Sequence, residues 1–361
     1  MTSKLRAPFT FRNGVAAPNR VWLAPMTNLQ SHADGTLSDD ELRWLVSRAD
    51  GGYGVIETCA AYVADDGKAW DGELGIANDT HMPGLRRLAA EITSRGAIGL
   101  VQIFHGGVRA SRELTGTDPW SASAVEDGGV LPREAAEEDI TGVVARFRDA
   151  AVRAHEAGFQ GVELHGAHGY LLGQFLSQVN NRREDRWGGP LENRARLMRE
   201  AVRAVRGAVP ASFVVGIRIS PENFGQSKGL DLDENIELSR WLAEDGIDFL
   251  HLSLWASSRN TTKRPDQHPI PLFREAVPAS VPIVVAGHIW TRDEAEALLD
   301  KGADAVALGR SAIANPSWPR DIADPAWQPR RPPFTTAELI ERGLSEKFAR
   351  YMAKWKGFVV D

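Results

Sequence analysis

AGFQGVEL (157–164), DGIDFLHL (245–252) and KGADAVAL (301–308) share one grammar: a glycine that stops a helix, a short polar link, and an apolar run. Glycine adopts the left-handed conformation that ends a helix, and a short unbroken apolar run suits a strand buried on both faces. ADGGYGVIE (49–57) and RGAIGLVQIF (95–104) repeat the pattern more loosely. The recurring unit is therefore helix, glycine, buried strand, which is the signature of parallel β-structure crossed by helices.

Counting outward from these phrases gives eight candidate strands, near 20–25, 54–58, 98–104, 161–165, 213–219, 248–253, 282–286 and 304–308. Helical-period segments alternate with them. DDELRWLVSRA (39–49) follows the first, with Ser38 and Glu41 at capping-box spacing; ITGVVARFRDAAVRAHEA (140–157) precedes the fourth; TRDEAEALLDKG (291–302) follows the seventh, with Thr291 and Glu294 again at capping-box spacing. Eight βα units predict a closed (β/α)8 TIM barrel in the α/β class, one domain over residues 1–361. A doubly wound sheet would carry a Gly-rich loop after its first strand, and RVWLAPMTN (20–28) has none.

Two segments depart from the repeat. Residues 105–136 form a Gly, Pro and Ser-rich loop insertion after strand 3, and 166–190 a second long loop after strand 4. Both fall on the C-terminal face, where barrels carry their sites. FTFRNGVAAPNR (9–20) predicts a hairpin covering the barrel bottom, and ERGLSEKFARYMAKWKG (341–357), within a C-terminal helical tail over 335–361, reads as an amphipathic helix.

Composition limits the function. A net charge of -6 with interspersed Lys and Arg argues against a nucleic-acid surface. The single cysteine, Cys59, excludes an intrachain disulfide and any multi-cysteine metal or iron-sulfur site. No signal-like apolar stretch opens the chain and no window is apolar enough to span a membrane, so a cytoplasmic protein is expected.

Polar residues at the ends of buried strands stand out: Thr27, Gln102, His165, His168 and Arg218. An arginine within VVGIRIS (214–220) needs an anion, because an uncompensated buried charge costs several kcal/mol. It either pairs with an inward carboxylate such as Glu163 or faces an anionic ligand. VVAGH (284–288) and ALGRSA (307–312) end the last two strands with glycines, as phosphate-binding barrel loops do, and Gly287, Gly309 and Arg310 suit that task. Ordinary turn chemistry is the alternative. HGAHGY (165–170) leaves three readings for its histidines: metal ligands, loop caps, or paired donors to a substrate oxygen that gains charge. No HExxH element or second HxH accompanies them. Tyr170, a phenol that keeps its proton at neutral pH, either anchors the loop or serves as a general acid.

These residues in this order resemble the old yellow enzyme family of FMN-dependent ene-reductases. GFQGVELHGAHGYLLGQFLSQVNNRREDRWGGPLENRARLMREAVRAVR (158–206) is similar to the family's longest signature, and APMTN (24–28), VQIFHGG (101–107), GIRIS (216–220), VAGHI (285–289) and ALGRSAIANP (307–316) fall in the family's order. The resemblance covers the barrel and is poor in the insertion and the tail. It implies a non-covalent FMN, NADPH or NADH as electron donor, and an activated alkene as the small-molecule substrate. Pro25, Met26 and Thr27 would back the flavin ring; Ala60 and Gln102 would contact its pyrimidine side; Arg218 would sit at N1 and O2; Gly287, Gly309 and Arg310 would hold the phosphate. His165 and His168 would bind the activating oxygen of the substrate and Tyr170 would give the proton.

The chain also departs from the family. Thr27 stands where one branch has a cysteine, Asn28 where many of that branch have a substrate-facing tyrosine, and Gln178 and Trp187 where the signature usually has proline and tyrosine. An FMN barrel without alkene turnover, or with NAD(P)H oxidase activity, is the alternative; a phosphate-binding lyase or isomerase would need a strand-end lysine that the sequence does not offer. Metal is not expected, and a homo-oligomer is left open.

Overall fold

The computed structural model describes residues 3–361. Eight parallel strands form the barrel: Val21–Leu23 (β1), Val55–Glu57 (β2), Ile98–Phe104 (β3), Gly161–His165 (β4), Val214–Ile219 (β5), Phe249–Ser253 (β6), Ile283–Ala286 (β7) and Ala305–Leu308 (β8). Each pairs with the next, and Val306 of β8 pairs with Val21 of β1, which closes the ring. All eight lie where the sequence repeat places them. Outside them run Asp39–Asp50 (α1), Met82–Thr93 (α2), Glu137–Glu156 (α3), Arg196–Ala208 (α4), Leu232–Glu244 (α5), Pro269–Ala276 (α6), Arg292–Asp300 (α7) and the short Arg310–Ala314 (α8).

The barrel interior is divided into an apolar bottom and a polar upper part. Trp22, Val55, Leu100, Val214, Phe249, Val284 and Ala305 fill the bottom and pack against Phe9 and Phe11 of the N-terminal hairpin, whose strands Phe9–Thr10 and Ala16–Ala17 pair antiparallel. The aromatic rings meet edge to face, Phe9 on Trp22 at 5.4 Å and Trp22 on Phe249 at 5.1 Å. Room for Phe249 comes from Gly216 across the strand pair, where a Cβ would lie 2.0 Å from the ring. The hairpin thus seals the N-terminal end, and a ligand reaches the interior from the C-terminal mouth.

Several expectations change. The Thr291 and Glu294 capping box is complete, but only the Ser38 half of the first one forms: Ser38 accepts from the Glu41 N–H, while the Glu41 side chain turns inward. There, fully buried, it accepts from Asn28 Nδ2 at 3.0 Å, from Cys59 Sγ at 2.8 Å and from Ser31 Oγ. A buried acceptor with three partners stabilises more than an exposed cap can. Asn28 consequently faces α1 and is buried, not a substrate-facing counterpart of the family's tyrosine. Glu41→Ala leaves those partners unsatisfied beside a cavity and is expected to cost about 3 kcal/mol, read as a lower denaturant midpoint at unchanged slope.

The tail is also not one helix. Gly343 takes φ +92°, breaking it into Thr336–Glu341 and Glu346–Met352. Phe348 packs on Trp44 at 5.1 Å, and the buried Arg48 donates to the carbonyls of Ala312, Ile313 and Arg342, so the tail is tied to α1 and α8. The 105–136 insertion is ordered too, with Trp120–Ser121 and Arg133–Glu134 forming a short parallel pair. Two further short strands, Ala61–Tyr62 and Leu74–Gly75, extend the sheet beside β3 and were not foreseen. Among the described residues no helix is long and apolar enough to cross a membrane.

Candidate active site

His165 ends β4 with its ring in the mouth, only 3% exposed, and its Nδ1 accepts from the Ala167 N–H at 3.4 Å. That tautomer leaves Nε2–H as a donor. The chain then turns sharply: His168 takes φ +60° and Gly169 φ +70°, conformations costly for most side chains. A Cβ on Gly169 would sit 2.5 Å from the Gln226 carbonyl, so only glycine fits this approach. The turn brings the His168 ring within 5.0 Å of His165 and Tyr170 within 5.0 Å of the same ring. Phe104 packs on Tyr170 at 5.1 Å and the Arg109 guanidinium lies 5.5 Å over it.

The surroundings fix the protonation states. Burial pushes both histidines well below their usual range, and the nearby cations Arg218 and Arg109 push the same way. Both are neutral imidazoles that present N–H without a net charge. Burial raises the Tyr170 phenol, and Arg109 offsets this only in part. Tyr170 therefore holds its proton well above neutrality.

The rest of the long signature holds this loop in place. Asn181 Nδ2 donates to the carbonyls of Phe175 and Trp187 at 2.7 and 2.8 Å; Arg194 grips the Leu176 carbonyl at 2.5 Å and Glu234 at 2.6 Å; Arg183 reaches the carbonyls of Ala122 and Ala135. Gln174 links loop 4 to the insertion, accepting from Val108 N–H and Ser121 Oγ and donating to Gly106 and Gly169. Trp187 is fully buried and bonds Glu137 at 2.6 Å, and Gln178 bonds Glu234 at 3.0 Å, so neither departure from the family touches the mouth.

Arg218 on β5 pairs in register with His165 and His251, and its guanidinium makes one hydrogen bond, Nη2 to Ser253 Oγ at 3.1 Å. Its buried Nε has no partner. The expected alternative, an ion pair with Glu163, does not form: Glu163 accepts from Gln102 Nε2 at 2.7 Å and His251 Nδ1 at 2.6 Å instead. Ser253 also lies 2.7 Å from His168 Nε2, so it joins the β5 cation to the loop-4 histidine. Among the described residues the triplet at metal-ligand spacing is Glu57, Glu163 and His251; His165 and His168 are not part of it.

Around the mouth the other expected residues fall on the ends of the remaining strands. Pro25, Met26 and Thr27 follow β1, Ala60 follows β2, Gln102 lies on β3, and Gly287, Gly309 and Arg310 follow β7 and β8. A Cβ at Gly287 would lie 2.5 Å from the Leu254 carbonyl, and one at Gly309 would lie 3.4 Å from Met26 Sδ. The N–H groups of Gly287, Gly309 and Arg310 donate to no backbone carbonyl among the described residues. Arg310 is half-buried, stacks 5.5 Å over Trp355, and no carboxylate offsets the burial that lowers its pKa. Thr27 meets Tyr351 of the tail, a neighbour that sequence reading did not anticipate.

The donor set suits one kind of ligand: a buried, half-used arginine at one end and close backbone N–H groups with a free arginine at the other. That is what a ring with an electron-rich edge and a phosphate tail requires, and FMN has both. A match to the NADH:flavin oxidoreductase / NADH oxidase family spans residues 4–326. The chain belongs to the old yellow enzyme family. It is thus an FMN-dependent oxidoreductase that uses a nicotinamide nucleotide. The probable NADH-dependent flavin oxidoreductase YqiG of Bacillus subtilis is 38% identical over 319 residues, 86% of this chain and 85% of that protein. NADH:fumarate oxidoreductase of Klebsiella pneumoniae is 36% identical over 90% of this chain, which spans only 36% of that longer relative. Among solved structures, the old yellow enzyme homologue of Zymomonas mobilis superposes with a TM-score of 0.82 at 26% identity, covering 96% of this chain and 99% of that one.

Reading the sequence for polar residues at strand ends missed Glu57, His251 and Ser253. The same signal was there: VIE (55–57) and FLHLS (249–253) also interrupt apolar runs. Arg109 carried no such signal, since it lies in the insertion, yet it donates to the His168 carbonyl at 2.7 Å and braces the turn.

Proposed function

We propose that this enzyme reduces activated C=C bonds, those of α,β-unsaturated carbonyl or nitro compounds. The observation that carries the reading is the placement of two neutral imidazoles and a protonated phenol around one point of the barrel mouth, beside the unpaired Arg218. Pro25, Met26 and Thr27 would back the flavin ring, Ala60 and Gln102 would line its pyrimidine side, Arg218 would face N1 and O2, and Gly287, Gly309 and Arg310 would hold the phosphate. Bound FMN would supply the chemistry that the side chains lack, hydride transfer from NADPH or NADH to the alkene β-carbon.

The chain's own residues prepare and complete that transfer. His165 Nε2–H is free to donate to the substrate oxygen, which draws density from the double bond. His168 now bonds Ser253, and a rotation of its ring toward the substrate would exchange that contact for a second donor to the same oxygen. Neutral donors suit an oxygen that gains charge during the reaction, because they stabilise it without holding it as a salt afterwards. Tyr170 gives its proton to the α-carbon.

The test is steady-state NADPH and NADH oxidation by the purified yellow protein with and without 2-cyclohexenone, run both anaerobically and in air. Expected is oxidation that depends on the alkene and yields the saturated ketone. Nucleotide oxidation with oxygen alone, indifferent to the alkene, would instead favour an oxidase.

A further inference from the structure

The polar part of the barrel interior holds a cluster that the reaction above does not use. Glu57, Glu163 and His251 point inward from β2, β4 and β6 with at most 1% exposure, and their ligand atoms lie within 4.8 Å of one another. The aromatic plug of Phe9, Phe11, Trp22 and Phe249 closes off water from beneath. His251 Nδ1 donates to Glu163 Oε2 at 2.6 Å and stands 3.9 Å from Glu57 Oε2. Neither Glu57 oxygen accepts a bond from any N–H or O–H among the described residues.

Two dry carboxylates this close cannot both be ionised unless a cation touches them. Arg218 is near but in direct contact with neither, and its one hydrogen bond goes upward to Ser253. Glu163 collects the donors, Gln102 and His251, whereas Glu57 has none, so a proton on Glu57 would complete the set by bonding to Glu163. We propose that Glu57, Glu163 and His251 form a proton-holding triad beneath Arg218, Glu57 being its acid, and that this proton leaves Arg218 free to meet an anionic ligand. With Glu57 neutral, the interior carries one carboxylate and one guanidinium. With Glu57 ionised it would carry an excess negative charge under the position where a ligand's electron-rich edge must sit.

The groups facing Glu57 are few. β3 contributes Gln102, β4 Glu163 and His165, β5 Arg218 and β6 His251; the inward residues of β1, β7 and β8 are Trp22, Ala24, Val284, Ala286, Ala305 and Ala307, which do not titrate in the relevant range. Burial first, and then the charge of Glu163, hold Glu57 well above the usual carboxylate range, and Arg218 counters only in part. Burial opposes the Glu163 charge as well, but His251, Arg218 and Gln102 together outweigh it and keep that carboxyl low. His251 is held below its usual range by burial despite Glu163, so it is a neutral donor. The Arg218 cation also argues against a metal ion in the same cluster, because a divalent ion would add to it in a dry site.

In this scheme the triad positions charge and does not touch substrate. Its role toward FMN rests on the reading of Arg218 as the cation at the flavin edge, whereas the proton itself does not. Infrared spectra of the FMN-free protein should therefore show a protonated-carboxyl C=O band that Glu57→Gln removes. Glu163→Gln should shift that band without removing it, since burial still favours the protonated Glu57 while its hydrogen-bond acceptor changes from a carboxylate to an amide. FMN titrations of the apoprotein from about pH 6 to pH 10 give the second readout, and the ratio of wild-type to Glu57→Gln Kd cancels the ligand's own titration. That ratio should stay near one while the band persists and rise about tenfold once rising pH removes the band, as only the wild type gains a carboxylate. A wild-type minus Glu57→Gln difference spectrum without that band overturns the triad, as does a Glu163→Gln spectrum with the band at its wild-type frequency, or one equivalent of divalent metal in the purified protein that Glu57→Gln loses. A flat Kd ratio with the bands behaving as expected would keep the proton on Glu57 and refute its service to Arg218. If Arg218 variants bind FMN normally while the bands respond, the flavin reading has failed and the triad has not.

Discussion

Tyr170→Phe is expected to slow the reoxidation of the reduced enzyme by 2-cyclohexenone by about 10²- to 10⁴-fold and to leave reduction by NADPH or NADH within about a factor of two, the span that removal of a positioned general acid commands. The ring contacts survive the change: Phe104 at 5.1 Å, His165 at 5.0 Å and Trp70 at 6.3 Å all pack on carbon. The hydroxyl makes no hydrogen bond among the described residues, so its removal orphans nothing and should leave the denaturation midpoint where it was. A second signature follows from the surroundings. In the proposed role the working form is the protonated phenol, whose pKa burial raises from an ordinary value of about 10. Alkene reduction limited by this proton stays level through neutral pH and falls only above the raised value. Stopped-flow traces of the two half-reactions, taken across pH, check both points; equal slowing of the two half-reactions, or a decline centred below the ordinary phenol value, would refute the assignment.

The barrel was legible because its grammar is local. A glycine stop and a buried apolar run are each read within about eight residues, and eight repetitions of them leave one closed architecture. Arg218 and the pair His165 and His168 were legible for a related reason: a polar side chain inside an apolar run is costly and needs a cause. The same rule would have found Glu57 and His251, but a carboxyl in VIE and an imidazole in FLHLS are explained only by each other, from strands far apart in sequence. Glu41 shows the limit of local reading. Its spacing from Ser38 is that of a capping box, yet Asn28, Ser31 and Cys59 together offer a better set of partners than one backbone N–H. The contact of Tyr351 with Thr27 lay beyond sequence reading altogether, since it depends on Gly343 breaking the tail and on Arg48 anchoring it.

Arg218 separates a structural residue from a ligand-binding one, and Arg218→Met exposes the difference. Were Arg218 there to hold the barrel together, its loss would destabilise the protein. The structure gives it little to hold: one hydrogen bond to Ser253, no ion pair, an unpartnered Nε and a desolvation penalty that pushes its pKa down. Glu163 keeps His251 and Gln102 without it. A methionine of similar length removes the cost of burying an unpaired cation, so the FMN-free variant should unfold at an equal or higher denaturant concentration than wild type. If Arg218 faces the electron-rich edge of the flavin as proposed, the same change deletes its charge-assisted donors there, each worth about 1.5–3 kcal/mol, and FMN should bind at least about 10²-fold more weakly. Arg218→Lys keeps the charge without the planar fork and should recover part of that loss. Fluorescence titration of FMN into the apoprotein, beside denaturant curves of the same preparations, reads both quantities. A destabilised apoprotein that still retains FMN would make Arg218 a structural residue; a stable apoprotein that has lost FMN shows that the fold bears an unpaired charge for the sake of its cofactor.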